Sequence, residues 1–225
     1  MSVHRVCRLH MINAYLVRED DGLTLVDALL AGADCKLILK EAAELGAPIR
    51  RIALTHAHGD HIGALDTLVA RLGADEVEVS ISARDAKLLR KDTSPEPGEP
   101  ADAKVRGGIT GAATVPDRLL APGDRVGSLE VVAAPGHTPG HVAFLDTRDR
   151  TLICGDAYST IGGVATSAKP NPRFPLPALA TWHRPTALRS ARDLRALDPA
   201  RLAPGHGRVV ESPAAEMDRA IAKGA

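Results

Sequence analysis

The chain has 225 residues, of which 44% are hydrophobic but only 2% aromatic, and its 28 Lys and Arg balance 28 Asp and Glu. That length allows one large domain or two small ones, with a core built of Ala, Val, Leu and Ile. A formal net charge of zero gives no general electrostatic pull towards nucleic acid or an anionic membrane. No stretch approaches the roughly 18 apolar residues of a membrane span, and the opening MSVHRVCRLH lacks the apolar run of a signal peptide. Cys7, Cys35 and Cys154 are odd in number and scattered, with no disulfide or zinc-knuckle spacing, so a reduced, cytoplasmic protein is expected.

In chain order, NAYLVREDDGLTLVD (13–27) reads as two strands joined by a turn at Asp21-Gly22, the second ending at Asp27. DCKLILKEAAELGAP (34–48) reads as a helix with Asp34 as N-cap, Gly46 as its stop and Pro48 just beyond. RIALT (51–55) is a short apolar run of the kind found in buried strands. After His61, apolar residues recur at helical spacing through Ile62, Leu65, Leu68, Val69 and Leu72. VEVSI (77–81) is strand-like, and SARDAKLLRK (82–91) opens a helix with a capping box of Ser82 and Asp85. Residues 92–111 are Pro/Gly-rich, polar and without period, which predicts a long flexible loop, either a linker or a lid.

The second half repeats the pattern. LEVVAAPGHTPGH (129–141) brings a strand to a turn carrying His137 and His141, and VAFLD (142–146) and TLICGD (151–156) are strands, the latter ending at Asp156. A Pro-rich passage over 159–177 leads to a helix through Leu188 and Leu194. RLAPGHGRVV (201–210) places His206 at a further turn, and Ser212-Pro213 supplies an N-cap and N1 pair for a last helix. Strand-rich and helical segments thus alternate twice, in two similar halves of one domain (about 1–91 and 112–225). The pattern predicts an α/β (α+β) fold with two packed β-sheets and helices on the outer faces.

THAHGDH (55–61) concentrates three of the nine histidines and an aspartate: His56, His58, Asp60 and His61. A strand followed by His or Asp and a small residue recurs at His137, Asp156 and His206, and strand-end turns can converge on one edge of a sandwich. Neutral imidazole suits zinc, iron or manganese, and a carboxylate can bridge two cations. In extended chain, residues two apart share a side, so His56 and His58 can grip one ion, completed by His137. Asp60 and His61, one bend later, point to a second ion completed by His206, and Asp156 is the natural shared ligand. Single turn histidines are ordinarily surface residues; His4 and His10 fit that description, whereas the joint spacing does not. His141 reads as a supporting or packing residue. Cys154 reads as an inert buried thiol. Trp182, the only tryptophan, and His183 are candidates for a substrate pocket wall, with a core or structural role as the alternative.

THAHGDH resembles the H-x-H-x-D-H signature of the metallo-β-lactamase fold superfamily. NAYLV…GLTLVD, PGHTPGH, LICGD and LAPGHG resemble, in order, its opening hairpin, third motif, bridging-aspartate strand and last histidine motif, so the likeness covers essentially the whole chain. The resemblance implies a four-layer αββα sandwich and a binuclear site, with His56, His58 and His137 on one metal, Asp60, His61 and His206 on the other, and Asp156 bridging. It implies a supporting role for Asp27. In small lactonases of this superfamily a tyrosine shortly after the bridging aspartate polarises the substrate carbonyl, which makes Tyr158 a catalytic candidate beside Asp60. The expected function is metal-dependent hydrolysis, with two divalent cations, zinc first and iron or manganese next, and a bridging hydroxide attacking an ester, lactone or related carbonyl bond of a small molecule. Two alternatives stand. One is a mononuclear iron oxygenase resembling the persulfide dioxygenases. The other is a thioesterase of the glyoxalase II type, although only 19 residues follow His206, too few for the C-terminal helical region those enzymes carry.

Overall fold

The computed structural model describes residues 2–32 and 34–224. Along the chain run β1 (Val3–Arg8), β2 (Ile12–Glu19), β3 (Gly22–Val26), α1 (Asp34–Glu44), β4 (Ile49–Ala53), α2 (Gly59–Ile62), α3 (Leu65–Leu72), β5 (Glu78–Ser82) and α4 (Ala83–Leu89). There follow β6 (Arg118–Leu120), β7 (Arg125–Val126), β8 (Leu129–Ala133), β9 (Val142–Asp146), β10 (Thr151–Ser159), β11 (Ala165–Thr166), α5 (Leu176–Leu179), α6 (Arg184–Ala196), β12 (Arg201–His206), β13 (Val210–Glu211) and α7 (Ala214–Gly224).

The strands hydrogen-bond in the order β6-β5-β4-β3-β2-β12-β10-β9-β8-β7, with β1 on β2, β11 on β10 and β13 on β12. The sequence pattern suggested two sheets. In the fold they are joined into one curled sheet, through a single register pair, Ile12 with His206, between β2 and β12. Period-2 alternation explains the layers, because both faces of the strands are apolar. On β2, Ala14 and Leu16 face outward with Leu23 and Leu25 of β3, where Ile38 of α1, Leu65 and Leu68 of α3, and Leu88 of α4 cover them. Tyr15, Val17 and Val26 face inward and meet Val131, Phe144, Ile153 and Ala203 from the other half, the core between the two sheet halves. On the far side, Ala143, Leu145, Leu152 and Leu202 pack under Ala191 and Leu194 of α6 and Met217 of α7. The result is the αββα order of layers. Phe144, fully buried at the centre, fixes the spacing of the two halves; truncating such a side chain costs about 3–5 kcal/mol.

Several local expectations are corrected. Ser82 caps α4 by accepting from Asp85 N–H, but the Asp85 carboxylate does not close the box, being engaged elsewhere. Ser212 has φ +48° and donates its N–H to Ala200, a left-handed conformation unlike the extended one of an N-cap. Strand β10 runs on to Ser159 rather than stopping at Asp156. Residues 92–111 contain no helix or strand, yet they are anchored: Arg84 donates to Glu99 and Ser94, Gly59 N–H donates to Gly108, and Val105 and Ile109 pack on the first core. No helix among the described residues is long and apolar enough to cross a membrane.

Candidate metal centre

β3 and β4 pair in parallel, as do β10 and β12 on the other side of β2, and carboxyl ends of parallel strands are the place where open α/β sheets collect their ligands. Asp27 follows β3, His56 and His58 follow β4, and His206 ends β12; β10 brings Asp156 alongside and the turn before β9 brings His137. Donor atoms of His56, His58 and His137 lie within 4.8 Å of one another, as do those of His56, His61 and Asp156, and those of Asp60, His61 and His206. All seven residues suspected from the motif therefore meet at one point. Glycine makes the approach possible: a Cβ on Gly205 would run into the Asp156 carboxylate and His61 ring, and one on Gly107 would lie 2.6 Å from His58 Nε2.

Each imidazole is held from behind, which fixes the nitrogen left for the centre. Thr55 donates its hydroxyl to Asp27 Oδ2 at 2.8 Å, so its oxygen accepts from His56 Nδ1 at 2.9 Å. His61 Nδ1 donates to Asp27 Oδ2 at 2.7 Å. Thr181 donates its hydroxyl to backbone carbonyls and accepts from His137 Nδ1 at 3.2 Å. His206 Nδ1 donates to the Met11 carbonyl at 3.2 Å, and His58 turns the other way, donating Nε2–H to the Arg106 carbonyl at 2.8 Å. The inward-facing atoms are thus Nε2 of His56, His61, His137 and His206, and Nδ1 of His58. Fixing tautomer and orientation in this way is the usual support of metal-binding histidines.

The inward atoms lack partners of their own. His56 Nε2, His61 Nε2 and Asp156 Oδ1 are buried without a hydrogen bond, a costly arrangement unless a ligand completes it. His58 Nδ1 and His137 Nε2 face each other at 2.9 Å, two acceptors that need a cation between them. Asp156 Oδ1 is 3.3 Å from His61 Nε2, and its Oδ2 is 3.4 Å from His137 Nε2 and 3.1 Å from His206 Nε2. Asp156 thus touches both triads. An imidazole-rich donor set with two carboxylates fits zinc, iron or manganese and would not suit calcium or magnesium.

Burial holds His56, His58 and His137 below the usual histidine range, so they stand as neutral imidazoles. Burial acts in the same direction on His61 and His206, but Asp156 and the other carboxylates outweigh it; His206 is pushed up to about 9. Asp156 and Asp60 feel burial as an upward push, and the neighbouring histidines overcome it, keeping both well below the carboxylate range. Asp60 differs from the rest in access: its side chain is 34% exposed, against 6% or less for His61, His206 and Asp156.

The supporting residues extend beyond those the motif names. Asp27, at φ +62°, also accepts Thr55 N–H. His141 Nε2 accepts the Asp156 N–H at 3.1 Å. Asp85, fully buried, accepts from Ala57 N–H, the Thr138 hydroxyl and Gly140 N–H, tying the two histidine turns together. The spacing singled out neither Thr55 nor Thr181, and it marked Asp85 only as a helix-capping residue, because their hydrogen bonds to the centre carry no sequence signature.

Two assignments from the sequence are corrected. Tyr158 is not at the centre: it is fully buried in the outer core and its hydroxyl donates to the Ala191 carbonyl at 2.7 Å. Gly155, at φ +47°, and register breaks on either side of it upset the alternation of β10, so residues two apart no longer share a side. Cys154 lies in the same outer core, its thiol raised by burial. Trp182 and His183 do not line the cavity at the histidines. That cavity, about 340 Å³, is walled by Gly107, Gly108, Phe174, Leu176, Pro177, Leu179 and Ala180. Trp182 is 7% exposed and its backbone N–H donates to the His137 carbonyl, while His183 caps α6 by accepting from Thr186 N–H.

An αββα sandwich carrying histidines and carboxylates at this edge defines the class of the metallo-hydrolase folds. Residues 7–206 match the profile of the metallo-beta-lactamase superfamily, and the chain belongs to that superfamily. It is 45% identical over 216 residues to the protein YobT of Bacillus subtilis (strain 168), covering 96% of this chain and 91% of that one. It is 30% identical over 162 residues to a hydroxyacylglutathione hydrolase of Acidiphilium cryptum, matching 72% of this chain but only 55% of that enzyme. Among solved structures, the di-iron-bound form of TTHA1623 superposes with a TM-score of 0.66 at 26% identity, covering 93% of this chain and 94% of that one.

Proposed function

We propose that this protein is a two-metal hydrolase of a small-molecule ester, lactone or thioester. The observation that carries the reading is the set of inward-facing, unpartnered atoms of His56, His61 and Asp156, in a cluster where the outer nitrogens of His56, His58, His61, His137 and His206 are all engaged. His56, His58 and His137 would hold one divalent ion, Asp60, His61 and His206 the other, and Asp156 would serve both. Bound there, such ions supply Lewis acidity and lower the pKa of a water from 15.7 to about 7.

The chain's own residues do the rest. Asp60, ionised and facing the cavity, takes the proton released from the nucleophilic water at its carboxylate and delivers it to the leaving oxygen or sulfur. Phe174, Pro177 and Ala180 give one wall an apolar surface that keeps bulk water from the reacting carbonyl, and Gly107 and Gly108 let the substrate approach from the other. Leu176 and Leu179, 58% and 55% exposed, form an apolar lip at the mouth. The zero net charge supports a small molecule rather than nucleic acid as the substrate.

The thioester arm of the reading has the hydroxyacylglutathione hydrolase relatives in its favour, although the chain spans little more than half their length. The test is a hydrolysis panel on apo and metal-reconstituted protein: an aryl ester, a homoserine lactone, a glutathione thioester, a cephalosporin and an aryl phosphodiester. Turnover that appears on adding zinc, iron or manganese to the apo-protein supports the proposal and names the bond. Silence throughout, with oxygen uptake by an iron-loaded sample on a persulfide, would replace it with the oxygenase reading.

A further inference from the structure

Next to the metal-site cavity lies a second one of about 360 Å³, lined by Asp102, Arg106, Leu179, Trp182, His183 and Arg184 among others. The two cavities share Leu179. The second is bonded to the histidines from behind: the Arg106 carbonyl accepts His58 Nε2–H, the Thr181 hydroxyl accepts His137 Nδ1–H, and the Trp182 backbone N–H donates to the His137 carbonyl. Its charge is one-sided. Arg106 and Arg184 come from two separate segments, neither guanidinium forms an ion pair among the described residues, and the only carboxylate on the lining is Asp102. Asp102 is 84% exposed and lies 3.8 Å from His183 Nε2, the imidazole whose Nδ1 is occupied by Thr186.

We infer that this cavity is a subsite for an anionic group, carboxylate or phosphate, carried by the substrate whose carbonyl sits at the metal centre. Two exposed arginines on the lining of one cavity, with guanidinium groups in no ion pair among the described residues, are suited to a planar carboxylate or a phosphate, which they can engage with paired charge-assisted hydrogen bonds. The Trp182 indole gives the same cavity an apolar wall for the methylenes that join the anion to the scissile bond. Leu179, on the ridge between the cavities, is the side chain that such a bifunctional molecule must cross. This inference rests on the hydrolase reading for its second half only; anion binding in the cavity stands by itself.

Trp182 is the only tryptophan, so its fluorescence reports occupancy of the cavity without any turnover. The full-length protein is titrated with glutarate, with inorganic phosphate and with uncharged glutaramide. A saturable fluorescence change with glutarate or phosphate, none with glutaramide, and affinity about tenfold or more weaker in R106Q/R184Q supports the subsite. Whichever of the two anions binds more tightly identifies the group. Asp102→Asn, which removes the repelling charge, is expected to tighten binding. In kinetics, the 4-nitrophenyl monoester of glutaric acid should show a lower KM than 4-nitrophenyl valerate, and R184Q, which alters no residue bonded to the metal-site histidines, should shrink that difference with kcat on the valerate ester unchanged. Equal responses to glutarate and glutaramide, or undiminished glutarate binding by the double variant, would overturn the subsite. Glutarate binding that behaves as expected in a protein that hydrolyses neither ester would instead leave the subsite standing and count against the hydrolase reading.

Discussion

Asp85 offers the sharpest test of how the centre is built. Its carboxylate accepts from Ala57 N–H at 3.0 Å, the Thr138 hydroxyl at 2.7 Å and Gly140 N–H at 2.8 Å, with no exposure to solvent. Asp85→Ala strands the buried Ala57 amide and the half-buried Gly140 amide, since the hydroxyl can turn to another acceptor. At about 1–3 kcal/mol per orphaned donor the loss would be about 2–6 kcal/mol. Burial raises the Asp85 pKa, so relief of its desolvation returns part of this, and about 3 kcal/mol is the expected net. For a chain of this size that lowers Tm by about 6–12 °C, read by calorimetry on the apo-protein. The milder Asp85→Asn keeps one acceptor oxygen and is the variant for metal work. Ala57 lies between His56 and His58, and Thr138 follows His137, so only the His56–His58–His137 triad is loosened. One of two metal equivalents should therefore weaken by about 10- to 100-fold in a chelator competition, with the other held by Asp27 and Met11 behind His61 and His206. Wild-type Tm in the alanine variant, or equal weakening of both metals in the asparagine variant, would refute the reasoning.

Asp156→Asn should abolish both tight metal binding and turnover, because it removes the one carboxylate in contact with both triads; retention of two equivalents by elemental analysis would remove its bridging assignment. Tyr158→Phe should leave kcat and KM unchanged and cost about 1 kcal/mol, or about 2–4 °C, for the hydrogen bond to Ala191. Acid sensitivity of the apo-protein should trace in part to His141, which burial brings from 6.5 down to about 3. Below pH 6.5 the unfolded chain takes up a proton that the folded one refuses, so this share of stability is complete above about 6.5 and is lost as pH falls towards 3. His141→Gln, which can still accept the Asp156 N–H, should flatten the fall of Tm between pH 6.5 and 4; an unchanged slope would assign the acid lability elsewhere.

The seven metal-site candidates were legible in the sequence because their chemistry is local and their spacing unusual: THAHGDH places four of them in six residues, and the other three each close a strand-like run. The layers were legible too, since β2, β3, β4, β9 and β10 carry apolar residues on both faces and the intervening helices carry one apolar stripe. What the sequence could not carry was direction and distance. Tyr158 looked two steps from Asp156 on a regular strand, but the left-handed Gly155 and the register breaks turn it into the core, and no local pattern announces a bulge. Trp182 and His183 looked like pocket residues and do line a cavity, though it is the neighbouring one, a distinction set by where α5 packs. Thr55 and Thr181 left no trace and Asp85 showed only as a capping residue, because hydrogen bonds that support a ligand from behind carry no sequence signature. The 92–111 loop read as mobile from its composition, yet Arg106 and Gly108 bind His58 and Gly59 across some fifty residues of chain. The sequence determined which side chains could make a metal centre. For every ring but His56, whose partner is the adjacent Thr55, long-range packing decided which nitrogen faces inward, because those hydrogen bonds join segments that are distant in the chain and neighbours only in the folded sheet.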